Sequence, residues 1–103
     1  MFNVTRNGGI SVIRSFRDKD TEALFLGRRV RRFEGFAAQA ERRIQTLESA
    51  TCLEDLAGLP SNRLEALGGD RKGQYSIRIN KQWRVCFEWR EDGPYNVEIA
   101  DYH

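Results

Sequence analysis

Six arginines, Arg28, Arg29, Arg31, Arg32, Arg42 and Arg43, crowd one stretch of a chain whose formal net charge is only +2. Such a cluster neutralises phosphates and speeds encounter with nucleic acid, or it docks an acidic protein. A solvated helix face reads the same way, and charge alone leaves the choice open. The cysteines, Cys52 and Cys86, and the single histidine, His103, lack the spacing of a metal site, so neither a metal nor a cofactor is expected. Both cysteines read as reduced packing residues.

The elements that would carry such residues follow from composition and periodicity. With 103 residues, 40% hydrophobic and 31% charged, the chain has the makeup of one globular domain with one core. No stretch approaches the roughly 20 apolar residues that cross a bilayer. The start lacks the apolar centre of a secretory signal, so the cytoplasm is expected and no membrane partner. Residues 1–12 show no periodicity and read as an extension outside the fold, leaving residues 13–103 as the domain.

Ile13 to Phe16 reads as a short strand, and Asp20 to Leu26 as a short helix with Gly27 as its stop. An arginine-rich link leads to the longest helix, where Phe36, Ala40, Ile44 and Leu47 share one face. Thr51 to Glu54 has the form of a capping box for a third helix reaching Ala57, which Pro60 ends. Leu64 to Leu67 reads as a short strand. The period then changes to two. Tyr75, Ile77 and Ile79 alternate with polar residues, as do Trp83, Val85, Phe87 and Trp89, and Asn80, Lys81 and Gln82 join the two strands. A turn at Glu91-Asp92-Gly93-Pro94 precedes a last strand over Val97 to Asp101. The fold class is α+β, a small antiparallel sheet with helices on one face. If the tryptophan row packs on the helices, Arg78, Arg84 and Glu88 point to the open face, a natural seat for an RNA phosphate.

Several runs resemble a known family. Leu64-Glu65-Ala66-Leu67-Gly68-Gly69-Asp70-Arg71-Lys72-Gly73, Tyr75-Ser76-Ile77-Arg78, Trp83-Arg84-Val85 and Asp101-Tyr102-His103 are similar to HigB toxins of the RelE/ParE superfamily, nearest the GraT type. Ile13-Arg14-Ser15-Phe16 resembles their first strand. The resemblance covers about nine-tenths of the chain. It implies a RelE-like fold and a metal-free ribonuclease acting on messenger RNA in the ribosomal A site. It also implies a HigA-like helix-turn-helix antitoxin, through which alone the chain would meet operator DNA. Two departures stand out: Glu65 and Gly68 occupy positions where HigB toxins carry a histidine and a lysine. The related YoeB toxins have a glutamate matching Glu65, an arginine matching Arg84 and a histidine matching His103.

The resemblance assigns roles that the chemistry can rationalise. Metal-free RNA cleavage needs a base for the ribose 2′-hydroxyl, a cation for the phosphorane and an acid for the leaving 5′-oxygen. Glu65 would be the base, and a carboxylate in that role needs a desolvated site. Arg84 would clamp phosphate with its planar fork. A histidine can hold and release a proton near neutral pH, so His103 would be the acid, with Asp101 orienting it and Tyr102 stacking on a base or supporting proton transfer. Arg71, Lys72, Arg78, Arg28, Arg29, Arg31 and Arg32 are the expected RNA contacts. Two other readings stand beside this one. A ParE-like gyrase poison would share the scaffold, and a weakly catalytic toxin would act mainly on its antitoxin's operator binding.

Overall fold

The computed structural model describes residues 11–101. Three helices, α1 (Lys19–Phe25), α2 (Ala37–Ser49) and α3 (Leu53–Ala57), precede four strands, β1 (Glu65–Ala66), β2 (Tyr75–Arg78), β3 (Trp83–Arg90) and β4 (Gly93–Asp101). The strands form one sheet in the order β1-β2-β3-β4, and every neighbouring pair is antiparallel. This is the expected α+β architecture. No helix among the described residues is long and apolar enough to cross a membrane.

Helix starts follow the caps. Asp18, in extended conformation, accepts the Thr21 N–H at 3.0 Å, so α1 begins at Lys19, one residue before the expected Asp20. Gly27 follows its end at φ 84°, a left-handed conformation that suits glycine. At α3 the cap lies one residue later than the expected Thr51 box. Cys52 is the N-cap, and Asp55 rather than Glu54 reaches back, accepting from the Thr51 N–H at 2.8 Å and its hydroxyl at 2.9 Å. Either carboxylate fits the pattern, and the turn geometry selects Asp55.

The arginine-rich link is not irregular. Residues Arg31–Phe36 form a 3-10 turn that drops Phe33, fully buried, into the core. Burying a side chain of this size stabilises by about 1.5–3 kcal/mol. Phe36 stacks on Trp83 at 4.8 Å between ring centroids, and Phe33 meets the same indole edge-on at 5.9 Å. With Ile77, Val85, Phe87, Val97 and Ile99 from the sheet, and Ala40, Ile44 and Leu47 from α2, these rings fill the layer between helices and strands. The tryptophan row therefore packs in the core, as its parity predicts.

The outer edge of β4 is covered by the segment before α1. That segment is extended but makes only an isolated parallel bridge, Phe16 to Val97, in place of the expected strand over Ile13 to Phe16. Its backbone still closes the edge: Arg14 N–H donates to Pro94, Arg17 N–H to Val97, and Ser15 accepts from Val97. The Thr21 hydroxyl accepts the Ile99 N–H at 3.0 Å. A bulge between Cys86 and Glu88 places Asn96 at φ 54°, with its N–H bonded to the Ser15 hydroxyl. Edge amides satisfied in this way offer no template to another strand.

The fold begins earlier than Ile13. Ser11 is buried, and the Glu48 carboxylate of α2 accepts from the Ser11 hydroxyl and from the backbone N–H groups of Val12 and Ile13, all at 2.9–3.0 Å. Gly93 makes room for this strap, since a Cβ there would lie 2.9 Å from the Val12 carbonyl. Ser11 and Val12 thus belong to the domain, and residues 1–10 of the expected extension lie outside the described residues. The expected strand over Leu64 to Leu67 shortens to Glu65–Ala66, and the last strand lengthens to start at Gly93 rather than Val97.

Candidate active site on the sheet face

Register decides which side chains share the face turned away from the helices. Ser76 pairs with Cys86, Arg78 with Arg84, Arg84 with Ala100, and Glu65 with Ser76. Glu65, Ser76, Arg78, Arg84, Cys86 and Ala100 therefore stand on one side, because paired residues of neighbouring strands project together. Leu67, Cys86 and Ala100 form a small apolar cluster there.

Arg84 shares this face as expected, but it is sunk rather than open. It is 8% exposed, because the chain at Arg63 to Glu65 lies over it. Its Nε donates to the Ser76 hydroxyl at 2.6 Å and its Nη2 to the Arg63 carbonyl at 2.6 Å. The same Nη2 lies 3.7 Å from Glu65 Oε1. Among the described residues no buried side-chain nitrogen or oxygen lacks a hydrogen bond. Nη1 has no such bond, so this nitrogen reaches solvent. A buried cation with one open amino group is the arrangement that meets an anion arriving from outside.

Glu65, by contrast, has a side chain 56% exposed. The desolvated setting expected of a glutamate base is not supplied by the described residues. Arg78 is half-buried, with its Nε donating to the Asn80 carbonyl at 3.1 Å. Glu88 turns away from Arg84: Arg90 donates to it at 2.7 Å and Asn96 at 3.0 Å. These bonds, that from Arg90 foremost, hold the Glu88 carboxyl below its ordinary pKa.

Arg71, at the end of a 3-10 turn over Gly69–Arg71, donates to Gln74 and to Glu98, both at 3.1 Å, so one expected RNA contact is tied into the sheet. Arg17 approaches the same carboxylate at 3.8 Å. Lys72 is exposed beside it. Cys86 lies buried between these groups. Burial pushes its thiol up, against the lowering effect of the Arg71 and Arg84 charges. Both cysteines are free thiols.

Asp101 is exposed and stands opposite Trp83, on the parity of Ile99 rather than of Arg84, and its carboxylate accepts from Gln82 at 2.9 Å. Tyr102 and His103 lie outside the described residues. The arginine cluster belongs to the helical layer, whose Phe33 and Phe36 pack on Trp83, on the side of the sheet away from Arg84. Arg28 and Arg31 are exposed, whereas Arg29 pairs with Glu34 and Arg32 with Asp20 at 2.9 Å. Arg43 donates to Asn62 at 2.7 Å and to the Ser61 carbonyl at 3.2 Å, a structural use of a residue counted in the basic run. Glu65, Arg84 and Arg78 are thus brought together, and Arg28, Arg29, Arg31 and Arg32 are not added to them.

Sequence reasoning overlooked Ser76 and the Arg63 carbonyl. The parity of Ser76 with Arg78 was the signal available for the first, and no signal existed for the second. Among the described residues no cluster of three or more acidic, histidine or cysteine side chains could hold a metal.

The HigB toxin of Vibrio cholerae serotype O1 named HigB-1 is 46% identical over 48 residues, 47% of this chain and 50% of that protein. A Proteus vulgaris protein named endoribonuclease HigB is 33% identical over 61 residues, 59% of this chain and 65% of its own length. The matched stretches thus span half to just under two-thirds of these curated relatives. Residues 14–103 match a family described as the RelE-like toxin HigB of type II toxin-antitoxin systems. With a match of that extent, on an α+β fold of the expected kind, the chain belongs to the HigB-like family of RelE-like toxins.

Proposed function

We propose that this chain is the toxin of a type II toxin-antitoxin pair and an endoribonuclease that cuts messenger RNA on the ribosome without a metal. The observation that carries this reading is the Arg84 guanidinium, held in the sheet with Nη1 open, beside the accessible Glu65 carboxylate. One group suits an RNA phosphate and the other a ribose hydroxyl. The relative from Proteus vulgaris is named an endoribonuclease.

In this mechanism Glu65 takes the proton of the 2′-hydroxyl, and the 2′-oxygen attacks phosphorus. Charge grows on the non-bridging oxygens, where a positioned guanidinium stabilises it. The bond to the 5′-oxygen breaks, and His103 protonates that oxygen, leaving a 2′,3′-cyclic phosphate and a 5′-hydroxyl. Asp101 and Tyr102 assist His103. Messenger and ribosome, laid over the face, exclude water from Glu65, a step the open carboxylate requires. Lys72, Arg78 and Arg71 border the RNA path. Arg28, Arg29, Arg31 and Arg32, on the other layer, meet ribosomal RNA or an acidic surface of a HigA-like helix-turn-helix antitoxin. Operator DNA is reached only through that antitoxin, and the setting is the cytoplasm.

The test adds the purified chain, with Arg84→Ala and His103→Gln variants, to ribosomes programmed with a defined messenger, and maps new RNA ends by primer extension. Cleavage on ribosomes, absent from free RNA and lost in both variants, is the expected result. Intact RNA overturns the reading and turns attention to DNA gyrase.

A further inference from the structure

The nitrogens of Arg84 are not equivalent. Nε is bonded to the hydroxyl of Ser76, a residue with no exposed surface, and Nη2 to the carbonyl of Arg63, while Nη1 is open. Two acceptors on two different elements fix a planar group in one orientation, which a single acceptor would leave free to pivot. The second acceptor is itself firmly placed. Arg63 sits at φ 46° and ψ 55°, a left-handed conformation that is costly for a side chain with a Cβ. Its N–H donates to the Pro60 carbonyl, and its neighbour Asn62 is fully buried, accepting from Arg43 and donating to the Leu56 carbonyl.

We infer that Ser76 is a positioning residue, whose buried hydroxyl aims the open edge of Arg84 at the scissile phosphate without touching RNA itself. This rests on the ribonuclease reading above. Ser76 stands in register with Glu65, so the residue that orients the cation is also the strand partner of the carboxylate. Loss of the hydroxyl frees Nε, lets the fork rotate about the remaining bond to Arg63, and misplaces Nη1. A misplacement of about 1 Å lowers the rate of an oriented reaction by about a hundredfold.

The experiment measures single-turnover cleavage of ribosome-bound messenger by the full chain and by Ser76→Ala, in both the unaltered and the Arg84→Lys background. Lysine keeps a cation but has no fork to orient. Ser76→Ala is expected to slow cleavage by about tenfold to a hundredfold in the unaltered chain, with little effect beside Arg84→Lys and ribosome affinity within about twofold. The Arg84 Nε–Hε resonance is expected to exchange with water faster in Ser76→Ala. Should that variant unfold, Ser76→Cys, of similar size and a weaker acceptor, takes its place.

Equal slowing in both backgrounds overturns the positioning role, as does unchanged cleavage in Ser76→Ala. If the unaltered chain leaves ribosomal messenger intact, the ribonuclease reading fails and this role fails with it. The Nε–Hε exchange then still reports whether Ser76 holds Arg84, which separates the two failures.

Discussion

Arg43, midway along α2, donates to the side-chain oxygen of Asn62 at 2.7 Å, and the residue after Asn62 presents its carbonyl to Arg84. The short turn over Pro60–Asn62 is therefore gripped by the helical layer on one side and by the sheet on the other. Replacing Asn62 by Ala leaves the Leu56 carbonyl and the Arg43 guanidinium without these partners. A loss of about 1–3 kcal/mol in unfolding free energy is expected, read from urea denaturation. RNA cleavage should fall further than that loss explains, because the turn places the Arg63 carbonyl.

Glu48 holds the start of the described chain. Its carboxylate accepts two backbone N–H groups and a hydroxyl from Ser11, Val12 and Ile13. Glu48→Ala is expected to destabilise by about 1–3 kcal/mol and to speed hydrogen exchange at the Val12 and Ile13 amides. Unchanged exchange at those two amides would show that the strap is held by other contacts.

Arg84→Ala should reduce ribosome-dependent cleavage by at least about a hundredfold, the usual effect of removing a preorganised charge-stabilising donor. Glu65→Gln keeps shape and removes the proposed base, and a loss of about 10²–10⁴ is expected. Because Glu65 is exposed, its variant should match the unaltered chain in thermal unfolding, whereas Arg84→Ala, which strands the Ser76 hydroxyl and the Arg63 carbonyl, should melt lower.

Acid should weaken the fold in a defined window. The Thr51 backbone N–H and hydroxyl hold Asp55 below its ordinary 3.8, and Arg90 with Asn96 holds Glu88 below its ordinary 4.5. A carboxyl whose folded pKa is depressed adds stability above its unfolded value and loses it as pH falls through the folded value. Urea midpoints should be insensitive to these two groups from pH 7 to about 5 and fall below about 4.5. Asp55→Asn and Glu88→Gln should each flatten that acid limb; an unchanged limb in both would remove these groups from the account.

The two thiols should react differently. Cys52 is half-buried at the start of α3, while Cys86 is buried in β3 with its thiol pushed up by that burial. Only the thiolate attacks alkylating reagents. Iodoacetamide at pH 8 should label Cys52 in the native protein and reach Cys86 at a rate set by unfolding, a difference that peptide mass mapping resolves.

Much of this protein was legible in its residue order. Alternation over residues 75–79 and 83–89 places Ile77, Val85 and Phe87 in the core and Arg84 on the far side, because strand side chains have a period of two. The four- and three-residue spacing of Phe36, Ala40, Ile44 and Leu47 places α2 over them. The family resemblance named Glu65 and Arg84, which the register then brought onto one face. Local pattern could not show that the arginine cluster would divide its roles. Arg32 turns to Asp20 and Arg43 to Asn62, and such partners far along the chain leave no periodic trace.

Periodicity and residue type thus determined the two central strands, the long helix, much of the core and the side of the sheet on which Arg84 stands. Only the tertiary structure decided that Arg84 is buried, that Ser76 and the Arg63 carbonyl orient it, that Glu65 remains open, and that Glu48 draws Ser11 and Val12 into the domain. Alternation is a property of a single strand and needs no knowledge of what lies across it. Burial and hydrogen-bond partnership depend on segments that meet only when the chain has closed, and here the closing turn runs through Asn62 and Arg63.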